Sequence, residues 1–247
     1  RKIKEVVKVP VIAVGRFTDP FAADAIIARG DADMIAFGRQ HLADPDFLIN
    51  ARERRAQETY GEDSLLLGEM GAALTRSVGK HTATCVKHFA CNSMENSRFR
   101  VDVRIDEADL RDIYLPHFRR CVDAGVDCVM TAYNKVNGEW CGHNHHLITD
   151  ILREEWEFNG FVMSDFFFGI RDIAAALNAG LDLEMPLRWR GLALHKALIK
   201  GRLTYETVHA AAFRILDAMF SACDRAGGRQ ASKSVVFSDK HLALARE

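Results

Sequence analysis

The sequence has almost no net charge: 33 Lys and Arg stand against 34 Asp and Glu, leaving a formal charge of −1 over 247 residues. Without an excess of one sign, nothing points to nucleic acid or an anionic membrane surface as a partner. No apolar run reaches the ~20 residues that a membrane-spanning helix needs. No signal peptide stands at the start. The six cysteines (Cys85, Cys91, Cys121, Cys128, Cys141 and Cys223) lack the paired spacing of a disulfide scaffold. Most sit in or beside apolar stretches, where Cys behaves as a small hydrophobe. They read as reduced thiols of a cytoplasmic-type protein. No segment is of low complexity.

What remains is a 48% hydrophobic chain, enough to bury one large core. Strand-like apolar runs at 10–14, 33–37, 83–89, 128–133, 161–165 and 181–185 alternate with helical patterns. The helical patterns lie near 20–29, 45–57, 63–77, 106–124, 147–157, 169–179, 190–200 and 204–223. Continuous apolar strands alternating with helices predict an α/β fold with a parallel sheet covered on both faces. A (β/α)8-type, TIM-like barrel needs eight strands. Six are visible, so the barrel reads as incomplete or hybrid. Asp106, Glu107 and Asp109 suit a helix start, where the dipole favours anions, and Thr204 with Thr207 is a weaker start. Residues 224–240 are polar and rich in Gly and Ser, reading as a linker, and 241–247 resemble the start of another helix.

One stretch stands out: Gly160-Phe161-Val162-Met163-Ser164-Asp165. A short apolar strand ends in a carboxylate between two helices. In an α/β barrel, catalytic groups sit at the carboxyl ends of strands. Equally, Asp is a common helix N-cap, and Asp165 could cap the helix that follows.

From about Arg55 the chain resembles the barrel domain of glycoside hydrolase family 3, the β-glucosidase family. Five motifs in order carry the resemblance. They are Arg55–Asp63; Val86-Lys87-His88-Phe89 with Glu95-Asn96-Ser97-Arg98; Met130–Gly138 around Tyr133-Asn134; Thr149–Asp165; and Ala179–Pro186. The resemblance implies a retaining hydrolysis of β-linked glucosides through a glycosyl-enzyme intermediate on Asp165. It implies sugar-hydroxyl contacts from Arg55, Lys87, His88 and Arg98, and a place beside the nucleophile for Tyr133. Hydrolysis requires no cofactor, and the substrate is a small β-glucoside or oligosaccharide.

The first fifty residues resemble a different family. Val11–Arg16, Ala32–Arg39 and Leu42–Asp46 are similar to the last strands of the old yellow enzyme barrel, which binds FMN. That resemblance implies a phosphate or FMN cradle at Gly15, Arg16, Gly38 and Arg39. Gly permits close backbone approach, and Arg offers bidentate phosphate contacts. These pairs also read as remnants that close a barrel. The organisation expected is therefore 1–54 as the end of a flavin-type barrel, 55–223 as the family 3 barrel portion, and 224–247 as a linker.

A retaining glycosidase uses two carboxyl groups about 5–5.5 Å apart, one attacking the anomeric carbon and one protonating the leaving oxygen. The nucleophile must be ionised, a state that cationic neighbours favour. Where the family pattern has Trp after the nucleophile, this chain has Phe166-Phe167-Phe168, which keeps an aromatic face. Glu184 is a second candidate carboxylate, with a structural role favoured for it. The acid/base Glu of the family's β-glucosidases lies in a further C-terminal domain, so the resemblance assigns it to downstream sequence or a partner chain. Cys141-Gly142-His143-Asn144-His145-His146 has metal-ligand residue types in a spacing that fits no common zinc site. The rival readings are an FMN- or phosphate-binding oxidoreductase-like barrel and an inactive hybrid barrel.

Overall fold

The computed structural model describes residues 12–14, 26–32, 34–36, 60, 63–94 and 97–228. The chain divides into two compact units, Arg1–Met70 and Gly71–Glu247. In the first unit, β1 (Ile12–Val14) and β2 (Met34–Ala36) pair in parallel, Ile12 opposite Met34. Helix α1 (Ser64–Val78) starts where the Asp63 carboxylate accepts the Leu66 N–H at 2.7 Å. That contact satisfies one of the orphan donors of the first turn.

The second unit is built on a parallel sheet in the order β3 (Cys85–Phe89), β5 (Cys128–Thr131), β8 (Phe161–Met163). The central strand β5 is buried along its whole length, as its run Cys-Val-Met-Thr suggests. The expected strand 181–185 is reduced to one parallel bridge, Met163 to Leu183. Asp182 and Leu183 N–H groups both donate to the Val162 carbonyl, at 2.8 and 3.1 Å. The chain then leaves the sheet. Among the described residues of this unit the parallel sheet has three strands and does not close into a barrel. No described helix is long and apolar enough to cross a membrane.

Crossovers are helical, which parallel strands require. Between β3 and β5 the chain winds through Glu107–Asp109, Leu110–Tyr114 and α2 (Pro116–Asp123). Asp106 caps this stretch by accepting the Asp109 N–H at 2.8 Å, as its acidic start predicts. Between β5 and β8 runs the π-helix His146–Glu155, which buries Leu147, Ile148, Ile151 and Leu152 completely. Burying such side chains contributes about 1.5–3 kcal/mol each. After β8 come α3 (Ile173–Asn178), α4 (Leu194–Ile199) and α5 (Tyr205–Arg225). Thr204 caps α5, its hydroxyl accepting the Thr207 N–H at 3.1 Å. Helix α5 buries Ala211, Ala218 and Ala222 and exposes Phe213, Leu216 and Phe220.

A hairpin lies between β5 and the π-helix that strand–helix alternation does not anticipate. β6 (Lys135–Val136) and β7 (Glu139–Trp140) are antiparallel, and β4 (Asp102–Val103) joins β6 in parallel. Asn137 and Gly138 form its turn with positive φ values of 52° and 99°. Asn-Gly is the dipeptide that such a turn favours. Asn137 also exchanges two hydrogen bonds with the Ile105 backbone, at 3.1 and 2.9 Å.

Two buried carboxylates tie the sheet to its helices. Asp127 accepts the Thr84 N–H at 2.8 Å and pairs with Arg225 near the end of α5. Asp182 has a fully buried side chain and accepts from Arg153 at 2.5 Å, Arg214 at 2.7 Å and the Val162 N–H at 2.7 Å. A buried carboxylate needs such partners, because an unpaired one would be costly.

Candidate active site

The carboxyl ends of β3, β5 and β8 gather the candidate residues at one edge of the sheet. Asp165 follows β8 by two residues and is only 7% exposed. Its Oδ1 accepts the Phe166 N–H at 2.7 Å, and its Oδ2 lies 3.3 Å from His88 Nε2. Both carboxylate oxygens are thus oriented before any ligand arrives. Asp165 does not cap the following helix: Asp172 caps α3, accepting the Ala175 N–H at 2.9 Å.

Tyr133, just beyond β5, donates its hydroxyl to the Phe166 carbonyl at 2.8 Å. Burial, then the neighbouring Asp165 charge and hydrogen bond, push its phenol up to about 12. The Arg98 guanidinium stacks on the Tyr133 ring at 4.9 Å and on Phe99 at 5.0 Å. Lys87 is exposed on β3, one residue before His88. Arg55 lies outside the described residues, as do Gly15, Arg16, Gly38 and Arg39. The structure therefore brings together Asp165, His88, Tyr133 and Arg98.

The loop after Asp165 is shaped by glycine. A Cβ on Gly169 would run into the backbone of Asp165, and one on Gly142 would lie 2.5 Å from the Gly169 carbonyl oxygen. Only a residue without a side chain allows these two approaches. Phe167 has a positive φ of 61°, an uncommon conformation for a bulky residue. Phe166, Phe167 and Phe168 are all partly exposed. The Phe168 ring lies 5.8 Å from Phe99, and Phe167 lies 6.2 Å from Trp189. An aromatic rim therefore borders the carboxylate.

Other candidates take structural parts. Glu184 accepts the N–H groups of Arg190 and Gly191 at 2.6 and 2.7 Å, anchoring the loop that contains them. In the His/Cys segment, His143 Nε2 accepts the Arg171 N–H at 2.9 Å, and burial lowers the pKa of this imidazole. His146 lies 3.0 Å from Glu107 and 3.1 Å from Asp150. Cys141 is fully buried. His143 was missed as a support of the loop after Asp165. No local sequence signal marks it, because its partners lie 28 residues away.

A parallel α/β sheet with a buried carboxylate and cationic and aromatic neighbours at its strand ends defines a candidate ligand site. The family model described as the glycosyl hydrolase family 3 N terminal domain matches residues 13–218. The chain belongs to this family. It is 45% identical over 163 residues to the β-glucosidase of Rhizobium radiobacter, covering 64% of this chain and 20% of that protein. It is 37% identical over 195 residues to the thermostable β-glucosidase B of Acetivibrio thermocellus, covering 77% and 25%. Among solved structures, the β-glucosidase of Kluyveromyces marxianus in complex with glucose superposes with a TM-score of 0.66 at 36% identity, over 74% of this chain and 23% of that one. β-Glucosidase 3B of Thermotoga neapolitana in complex with glucose gives 0.68 at 32% identity, over 89% and 31%. The chain thus spans about a fifth to a quarter of the length of these two curated relatives.

Proposed function

We propose that this chain supplies the nucleophile-bearing part of a retaining β-glucosidase, with Asp165 as the nucleophile. The observation that carries the reading is the orientation of Asp165 by His88 and the Phe166 N–H at the mouth of the sheet. Attack on the anomeric carbon requires an ionised carboxylate held in one geometry, which the Phe166 N–H donor and the His88 contact favour. His88, Arg98 and Lys87, with Arg55, bind sugar hydroxyls, and Tyr133 flanks the nucleophile. The names of the relatives, and the glucose in the neighbouring structures, support a β-glucoside as substrate. The general acid comes from sequence beyond this chain or from a partner chain, and the strands belong to a (β/α)8-type barrel.

The test uses an aryl β-glucoside whose leaving group needs little protonation. Asp165→Gly abolishes its hydrolysis, and added azide restores turnover by yielding the α-glucosyl azide. A β-configured azide, or undiminished activity of Asp165→Gly, contradicts the assignment.

A separate proposal concerns the N-terminal strands, whose likeness to old yellow enzyme suggests a phosphate or FMN site at Gly15, Arg16, Gly38 and Arg39. The parallel pairing of β1 and β2, which end just before these residues, supports it. The family 3 match from residue 13 weighs against it. A protein without flavin absorbance that binds no added FMN rejects it.

A further inference from the structure

We propose that the loop beyond Asp165 holds a subsite for an aromatic aglycone bearing a carboxylate, a ligand of the phenolic-acid class; this rests on the glycosidase reading above. Two adjoining open surface grooves share Trp189 and Leu192 as walls. One, of about 300 Å³, is lined by Phe167, Leu187, Arg188, Trp189 and Leu192 and is almost wholly apolar. The other, of about 440 Å³, is lined on its polar side by Arg171, Arg190 and Lys196. An aromatic ring suits the first, and an anion attached to it suits the second.

The charge balance of the second groove favours an anion. Its one lining carboxylate, Asp172, is already engaged by the Ala175 N–H at 2.9 Å and Arg202 at 2.8 Å. Glu184, which borders the same loop, is occupied by the N–H groups of Arg190 and Gly191. Arg171 stacks on Trp140 at 4.5 Å, and among the described residues its guanidinium donates to a neutral acceptor, the Phe168 carbonyl. Burial, and then the like charge of Arg190, lower its pKa. The Nε of Arg190 is buried with no hydrogen-bond partner among the described residues. Arg171, Arg190 and Lys196 thus outnumber the one lining carboxylate, an imbalance that favours an anionic ligand. Phe167 and Phe168, two and three residues beyond Asp165, have rings 6.2 and 6.4 Å from Trp189.

The test is titration calorimetry with two non-hydrolysable ligands, 4-carboxyphenyl 1-thio-β-glucoside and its uncharged carboxamide, and with 4-hydroxybenzoate alone. The carboxylate is expected to bind about tenfold more tightly than the carboxamide. That ratio should fall toward one in Arg190→Gln/Lys196→Gln and at high salt. Equal affinity of the two thioglucosides overturns the subsite while leaving the glycosidase reading intact. If neither thioglucoside binds but 4-hydroxybenzoate does, in a manner lost in the double variant, the anion site stands and the glycosidase reading fails. No binding of any of the three overturns both.

Discussion

His88 Nε2 lies 3.3 Å from Asp165 Oδ2, joining the carboxyl ends of β3 and β8 across the intervening strand β5. Losing a polar partner of a buried carboxylate costs about 1–3 kcal/mol. On an activated aryl β-glucoside, His88→Ala is therefore expected to lower kcat/KM by about 10- to 100-fold. Steady-state kinetics with an unchanged melting temperature would locate the loss in the site and not in the fold.

The same carboxylate depends on a glycine four residues later. Gly169→Ala places a methyl group against the Asp165 backbone, where nothing flexible can yield. Overpacking of this kind costs about 1–3 kcal/mol. Denaturant unfolding should show that loss, accompanied by a fall in kcat. A Gly169→Ala protein with unchanged kcat would show that the position of Asp165 tolerates the shift.

Asp182 tests the scaffold apart from the chemistry. Removing it leaves Arg153 and Arg214 facing one another in a part-buried site, with the Val162 N–H unpaired. Breaking a buried ion pair from one side costs about 3–5 kcal/mol. Asp182→Ala should lose that much in urea unfolding, whereas Leu152→Ala, at a fully buried position, should lose about 2–5 kcal/mol by cavity formation.

Tyr133 carries the pH prediction. Its phenol should ionise late, near pH 12, as read from phenolate absorbance. Its folded value lies above the ordinary value of about 10. Stability from this group is therefore fully present below about pH 10 and is lost as pH rises toward 12. Asp165→Asn removes the charge that raises it and should bring the titration down.

Much of this was legible in the chain. Of the apolar runs at 83–89, 128–133 and 161–165, residues 85–89, 128–131 and 161–163 are strands, and the acidic and threonine caps at Asp106 and Thr204 hold their helices. Asp165 was visible because it ends an apolar strand between helices. What was not legible depended on long-range contacts. β3 shifts register between Lys87 and Phe89, so simple alternation cannot say that His88 turns to Asp165. The strand expected at 181–185 contributes only the Leu183 bridge, because the Asp182 side chain turns to two arginines and Glu184 anchors the next loop. The hairpin at Asn137-Gly138 did have a local signal, which the strand–helix alternation obscured.

The central claim is that Asp165 attacks the anomeric carbon, and covalent trapping tests it most directly. Incubation with a 2-deoxy-2-fluoro-β-glucoside carrying an activated leaving group should add one fluoroglucosyl unit to the intact mass. Peptide mapping should place it on Asp165. An adduct on another carboxylate such as Glu184, or no adduct on a protein shown to be folded, would contradict the account.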